Sequence, residues 1–362
     1  MDVGVFIPIG NNGWIASATS PQYMPTFDLN RTIVQRAEHY GLDFALSMIK
    51  LHGYGGQTEY WDYNLESFTL MAGLAAVTKR IKLMASVAVL TLPPAMVARM
   101  AVTIDSIAPG RFGVNIVSGW QKAEYDQMGL WPGDEYFGYR YDYSSEFVAV
   151  MRELWEKGES NFEGRFFTMK DCKLLPHPSR PITIVSAGQS DRGMRFVSDY
   201  CDYCFVATNG VNNPASIAPT IARLNKATSG AARPIGALVL IMIIADETDE
   251  AAEAKLRRYN AGADREALAW MGLQSGMDKK ATKESTAALL GNADQNATAS
   301  YLQTLCGSYA TIAAALDEMA AISGVAGVML AFDDFVLGME QFGGHIQPLM
   351  KSRGHIPTAA AA

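Results

Sequence analysis

Residues 111–143, RFGVNIVSGWQKAEYDQMGLWPGDEYFGYRYDY, concentrate the groups best suited to holding a ligand. The stretch opens as an apolar run, turns at Ser118-Gly119, and then carries Trp120, Tyr125, Trp131, Tyr136, Phe137, Tyr139 and Tyr141, with Lys122, Glu124 and Arg140 among them. A long loop inside a compact domain is uncommon unless it serves a function. Ring faces beside a few fixed polar groups suit a planar, hydrogen-bonding molecule. A second group is Ala187-Gly188-Gln189-Ser190, followed by Asp191-Arg192-Gly193. Small residues let backbone approach a ligand, and Ser190 as a helix cap would leave N–H groups facing an anion. The plainer reading is a capped helix. Arg140 could complete a phosphate site, since guanidinium matches phosphate geometry, or it could form a surface ion pair.

Other chemistries find little support. There is no Walker loop and no strand followed by G-x-G-x-x-G, which argues against a Rossmann dinucleotide site. The run Gly53-Tyr54-Gly55-Gly56 opens no nearby helix. The five histidines, His39, His52, His177, His345 and His355, are scattered without metal-ligand spacing. No G-x-S-x-G elbow is present. Asp333-Asp334 is an acid pair that reads as well as a helix cap as it does as a catalytic pair. Cys201-x-x-Cys204 has redox spacing but enters a strand, so the two read as buried small apolar residues. A site without its own acid–base or nucleophilic set borrows chemistry from an organic cofactor.

The elements that must position these residues alternate. Apolar runs bounded by turn signals, at 3–9, 43–49, 81–90, 112–118, 181–187, 202–207, 236–245 and 327–332, read as strands. Helical patterns separate them, at 29–40, 65–79, from Pro93-Pro94 to 107, 141–157, from Ser190, 214–226, 247–260 and 311–322; a last helix at 338–353 closes the chain. Residues 158–180 read as an excursion with a small hairpin, 279–300 as a mobile segment of little periodicity, and the Ala-rich end as frayed. Near-continuous apolar strands alternating with helices imply a parallel sheet covered by helices. Eight units predict a single α/β domain over 1–362, a closed (β/α)8 TIM barrel with loop insertions at the C-terminal face; a doubly wound sheet is the alternative. In a barrel the site gathers where strands end. Asn11, Trp14, Lys50, Trp61, Trp120, Arg140, Ser190, Asn209 and Asp333 all follow strands.

Composition agrees with a large core: 362 residues, 49% apolar, 19% charged, net charge −7. The 30 Lys and Arg are dispersed, which argues against nucleic acid or an anionic membrane as partner. No apolar run reaches the roughly 18 residues of a membrane span, and no basic leader precedes a long apolar segment. A cytoplasmic location is the expectation, and apolar outer helices suggest a homo-oligomer.

Long motifs then carry a resemblance. VGVFIPIGNNGW, PQYMPTF, AEHYGLDFALSMIK, LESFTLMAGLAAVT, RFGVNIVSGW, YRYDY, AGQSDRGM and LAFDD span almost the whole chain and resemble the bacterial luciferase-like flavin monooxygenases, in particular those that open pyrimidine rings. The resemblance implies FMN contacts at Ile49, Lys50, Asn115, Glu124, Arg140, Tyr141 and Ser190, with Arg140, Tyr141 and Ser190 at the phosphate. It implies an oxygen-handling pocket of Leu46, Met48, Ser86, Asn115 and Trp120. Where the pyrimidine-opening members carry Thr, this chain has Ser86, which keeps the hydroxyl and enlarges the pocket by a methyl. The implied reaction uses reduced FMN (FMNH2) from a separate NADH-dependent flavin reductase, with O2 as co-substrate. A flavin peroxide opens uracil or thymine between N3 and C4, giving a ureidoacrylate peracid. The alternative is a related two-component FMN monooxygenase acting on a sulfone, a sulfonate or a chlorinated aromatic.

Overall fold

The computed structural model describes residues 1–282, 284, 285, 288 and 298–354. Its strands in chain order are β1 (Asp2–Ile7), β2 (Phe44–Ser47), β3 (Lys82–Ala88), β4 (Phe112–Val117), β5 (Glu159–Ser160), β6 (Cys172–Lys173), β7 (Thr183–Ser186), β8 (Tyr203–Val206), β9 (Gly236–Asp246), β10 (Thr304–Ser308) and β11 (Val325–Phe332). Eight of them close a ring in the order β1-β2-β3-β4-β7-β8-β9-β11, with β11 returning to β1, and every pairing is parallel. This is the expected (β/α)8 barrel. The short pair β5–β6 is the antiparallel hairpin of the excursion.

Parallel strands need crossovers, and the chain supplies helices whose starts are written in cap residues. The helices are α1 (Phe27–His39), α2 (Ser67–Ala76), α3 (Pro94–Ile107), α4 (Lys122–Asp126), α5 (Tyr136–Lys157), α6 (Asp191–Tyr200), α7 (Ala218–Ala227), α8 (Asp249–Ala261), α9 (Arg265–Gly276), α10 (Tyr309–Ala320) and α11 (Phe335–Gln341). Side-chain oxygens of Thr26, Glu66, Ser190, Thr248, Asp264, Ser308 and Asp334 each accept an N–H of the first turn that follows. Asp334 is therefore a cap. Asp333 beside it is buried, where burial raises its carboxyl above the usual range, and it accepts the Tyr259 hydroxyl at 2.8 Å.

Four features depart from the sequence reading. Strand β10 was not anticipated. It pairs with Met242–Asp246 of β9, beyond the Gly236–Val239 segment that pairs with β8, so the long β9 serves two neighbours in succession. Helix α9 was also missed, although Asp264 followed by an apolar run marks its start. Helix α5 begins at Tyr136 rather than 141, and α4 interrupts the aromatic loop before it. The closing helix runs only from Phe335 to Gln341 and then loosens into a π turn and 3-10 turns. Gly343 and Gly344 weaken it, and Pro348 donates no N–H.

Cys201 and Cys204 are buried free thiols whose pKa values burial raises, Cys204 to about 12, as suits apolar filler. Among the described residues no helix is long and apolar enough to cross a membrane. Of the segment 279–300, residues 283, 286, 287 and 289–297 lie outside the described residues, as does the Ala-rich end.

Candidate active site

A cavity opens at the C-terminal ends of the barrel strands, with about 1180 Å³ of empty volume including its mouth. That is the size of a small-molecule site. Nine of the eleven residues singled out from the sequence line it: Met48, Ile49, Lys50, Ser86, Asn115, Trp120, Glu124, Arg140 and Tyr141. Leu46 and Ser190 do not. Leu46 is fully buried within β2, in register with Met84 of β3. Ser190 spends its Oγ on the Gly193 N–H at 3.2 Å as the cap of α6.

Ser86 and Asn115 are register partners on β3 and β4, which brings their side chains together. Asn115 Nδ2 donates to Ser86 Oγ at 2.7 Å, and Ser86 Oγ donates onward to the Ser47 carbonyl at 2.5 Å. Because the one hydroxyl proton is committed to that carbonyl, Ser86 can only accept from Asn115. The amide must therefore present its NH2 to Ser86, which settles which way round it sits. Asn115 Oδ1 faces away from this contact, buried and without a partner. Ser67 supports the same array: its Oγ accepts the Ser86 N–H at 2.8 Å and hydrogen-bonds with Ser47 Oγ. Neither Ser47 nor Ser67 stands out in sequence, because α2 and β2 meet only in the fold.

Lys50 is buried after β2. Its ammonium pairs with Glu124 Oε1 at 3.1 Å, donates to Gln121 Oε1, and lies 4.0 Å from the centre of the Tyr54 ring. Burial lowers the lysine pKa and the Glu124 carboxylate partly offsets this. Gln121, wholly buried, is a member of this cluster that the sequence reading passed over.

Arg140 sits in the second turn of α5, buried, in an ion pair with Asp278 at 2.9 Å. Nη1 is the atom that faces Asp278 Oδ2, without hydrogen-bond geometry, and Nε has no hydrogen-bond partner among the described residues. Nearby, a Cβ placed on Gly188 would fall 2.5 Å from the Gly193 carbonyl, and one on Gly193 would fall 2.7 Å from the Tyr141 hydroxyl. The strand-end turn, the start of α6, Tyr141 and Arg140 thus converge at one end of the cavity. A helix N-terminus, a buried guanidinium with unfilled donors and close-set glycines fit a phosphate.

The aromatic loop divides. Trp120 and Tyr141 line the cavity, whereas Tyr125, Trp131, Tyr136, Phe137 and Tyr139 pack on one another and, through Tyr139, on Phe166. The early start of α5 sets Tyr136 and Tyr139 three residues apart on one helical face, where they meet each other. The cavity's other aromatic side chains come from elsewhere in the chain: Phe6, Trp14, Tyr54, Trp61, Phe205 and Tyr301. A mostly apolar wall with a phosphate-fitting end accommodates a flat cofactor bearing an anionic tail, as FMN is.

Comparison with known proteins places this geometry. The family model described as "Luciferase-like monooxygenase" matches residues 1–326. The chain is 62% identical over 353 residues to a pyrimidine monooxygenase RutA from Bradyrhizobium sp. strain BTAi1, covering 98% of each protein. It is 59% identical over 357 residues to a protein of the same name from Enterobacter cloacae, covering 99% of this chain and 98% of that one. Among solved structures, a riboflavin lyase with modified FMN and riboflavin superposes with a TM-score of 0.82 at 19% identity, over 100% of this chain and 94% of the other. A long-chain alkane monooxygenase gives 0.80 at 17%, covering 100% and 93%. At those identities the structures attest the fold, while the family model and the near full-length relatives establish membership: the chain belongs to the luciferase-like monooxygenase family.

Proposed function

We propose that this chain is an FMN-dependent monooxygenase that opens the ring of uracil or thymine between N3 and C4, giving a ureidoacrylate peracid. The observation that carries the reading is identity near 60% across essentially the whole length of relatives named pyrimidine monooxygenase. The cavity supports it, because its residues suit both FMN and a second planar ring. The reading extends to one barrel domain over 1–362, in the cytoplasm, working as a homo-oligomer with a separate NADH-dependent flavin reductase.

When bound, reduced FMN supplies the electrons that activate O2. Arg140, Tyr141 and the turn capped by Ser190 would hold its phosphate, and Ile49, Lys50, Asn115 and Glu124 its remaining polar groups. Ser86 holds the Asn115 amide in one orientation beside the reacting atoms. Trp120 and Met48 line the cavity and, with the buried Leu46 of β2, would keep water from the reacting atoms. Lys50 adds a buried positive charge to the cavity wall, which favours negative charge developing within it.

The test is uracil consumption with FMN, a flavin reductase, NADH and O2, followed by mass spectrometry. The expected product has the mass of uracil plus O2 and two hydrogens, and its formation stops when any component is withheld. Unchanged uracil alongside rapid loss of a sulfone, sulfonate or chlorinated aromatic would overturn the reading.

A further inference from the structure

Among the described residues, four in the cavity wall carry buried polar atoms without a hydrogen-bond partner. They are Nε and Nη1 of Arg140 (Nη1 being the atom ion-paired with Asp278), the acceptor Asn115 Oδ1, the Tyr54 hydroxyl and the Trp14 indole N–H. Leaving a buried polar atom without a partner is unfavourable, so such atoms in a binding cavity mark where a ligand supplies the missing partner. Arg140 is accounted for by an anion. The other three remain.

The contrast with their neighbours sharpens the point. Trp14, Tyr54, Tyr60, Trp61 and Tyr301 form one aromatic cluster: Trp14 meets Trp61 edge-on at 4.9 Å, and Tyr54 lies 5.6 Å from the same ring. Within it, Trp61 Nε1 donates to the Gly13 carbonyl at 2.6 Å, and the hydroxyls of Tyr60 and Tyr301 bond to each other at 3.1 Å. Only Trp14 Nε1 and the Tyr54 hydroxyl are left over. Both rings are held in place. Trp14 stacks on Phe6 at 4.5 Å, and Tyr54 carries the Lys50 ammonium on its face. Indole N–H can only donate, and Asn115 Oδ1 can only accept, since Ser86 dictates its orientation. Burial raises the Tyr54 pKa well above its ordinary value, so the hydroxyl keeps its proton and remains a donor at any working pH.

Two donors and one acceptor are the complement of an imide edge, in which two carbonyls flank one N–H. We propose that Trp14 and Tyr54 are the specificity-determining donors of this cavity, each receiving one carbonyl oxygen of a 2,4-dioxopyrimidine, while Asn115 Oδ1 takes the N–H between them. The inference rests on the pyrimidine reading and deepens it by naming what tells the dioxo ring from mono-oxo rings.

The experiment uses the full-length chain with FMN, reductase, NADH and O2, comparing the parent protein with Trp14→Phe and Tyr54→Phe. Each variant removes one donor and keeps the ring. Pyrimidin-2-one and pyrimidin-4-one, which each lack one carbonyl, are compared with uracil as competitive ligands, the preference being the ratio of their inhibition constants to the uracil KM, and FMN affinity is read separately by fluorescence quenching. The expected result is a KM for uracil raised about tenfold in each variant, as for one lost hydrogen bond, with FMN affinity within about twofold of the parent. Each variant should also lose the preference for uracil over one of the two analogues but not the other. Unchanged uracil KM and unchanged analogue preference would overturn the assignment while leaving the pyrimidine reading intact. FMN affinity falling in step with uracil affinity would also overturn it, by making these residues flavin contacts. A parent protein that consumes no uracil would overturn the pyrimidine reading and this inference with it.

Discussion

On the proposed reading Ser86 acts on the reaction through Asn115. Its single proton goes to the Ser47 carbonyl, so it accepts from the Asn115 amide and prevents that amide from turning over. Ser86→Ala should lower kcat about tenfold, as expected for one misplaced hydrogen bond, with little change in FMN affinity; Ser86→Thr keeps the hydroxyl and should restore the rate. Asn115→Ala should abolish product while the phosphate end still holds FMN, measured by flavin fluorescence beside turnover. Lys50 adds a pH dependence. Its pKa in the folded protein is lowered from 10.5 by burial. The cost of burying its charge is therefore present at neutral pH and is relieved as pH rises through the lowered value towards 10.5. Over the same window the cavity loses the Lys50 charge. The kcat/KM profile should show an alkaline limb below 10.5, and Lys50→Arg, whose guanidinium stays protonated, should remove that limb.

At the scale of elements, the phosphate end depends on how closely the turn after β7 approaches the start of α6. Gly188 and Gly193 are in backbone contact, so a side chain at either must push backbone aside. Gly188→Ala should cost about 1–3 kcal/mol, as overpacking does, read as a lower urea midpoint, together with weaker FMN binding. The same scale explains the division of the aromatic stretch. Once α5 starts at Tyr136, Arg140 and Tyr141 are carried on a helix rather than a loop, and the rings before them pack into that helix's own surroundings. A helix places a guanidinium more firmly than a loop of the same length would.

The whole molecule is tied at the end of the barrel opposite the cavity. Arg353, buried near the end of the described chain, donates to the carbonyls of Met1 and Gly41, to Gln347 Oε1, and to Asp43 Oδ2 at 2.6 Å. It thereby joins the last turn to the start of β1 and the entry to β2, where the ring of strands closes. Arg353→Ala strands several acceptors and should destabilise the protein by about 3 kcal/mol, measured by urea unfolding. KM for substrate should be unchanged, because the cavity lies at the other end of the strands.

How much of this was legible in the residues depends on the range over which each feature is determined. The eight barrel strands were readable because a strand buried on both faces is a continuous apolar run, and β9 is the plainest case. Ser190 and Asp334 were readable as caps because each acts on an N–H two or three residues away, whereas Asp264, which acts over the same range, was passed over. Strand β10 was not, since Thr304–Ser308 holds few apolar residues and exists as a strand only because β9 extends past β8. Long motifs identified the family and named nine residues of the cavity wall. They could not say that Ser86 orients Asn115, that Asp278 reaches Arg140, or that Trp14 and Tyr54 alone in their cluster keep unfilled donors. Local pattern determines which element forms and roughly where the site lies. Strand register and the meeting of distant loops decide which polar atoms find partners, and that, rather than residue type, leaves a site able to recognise one ring.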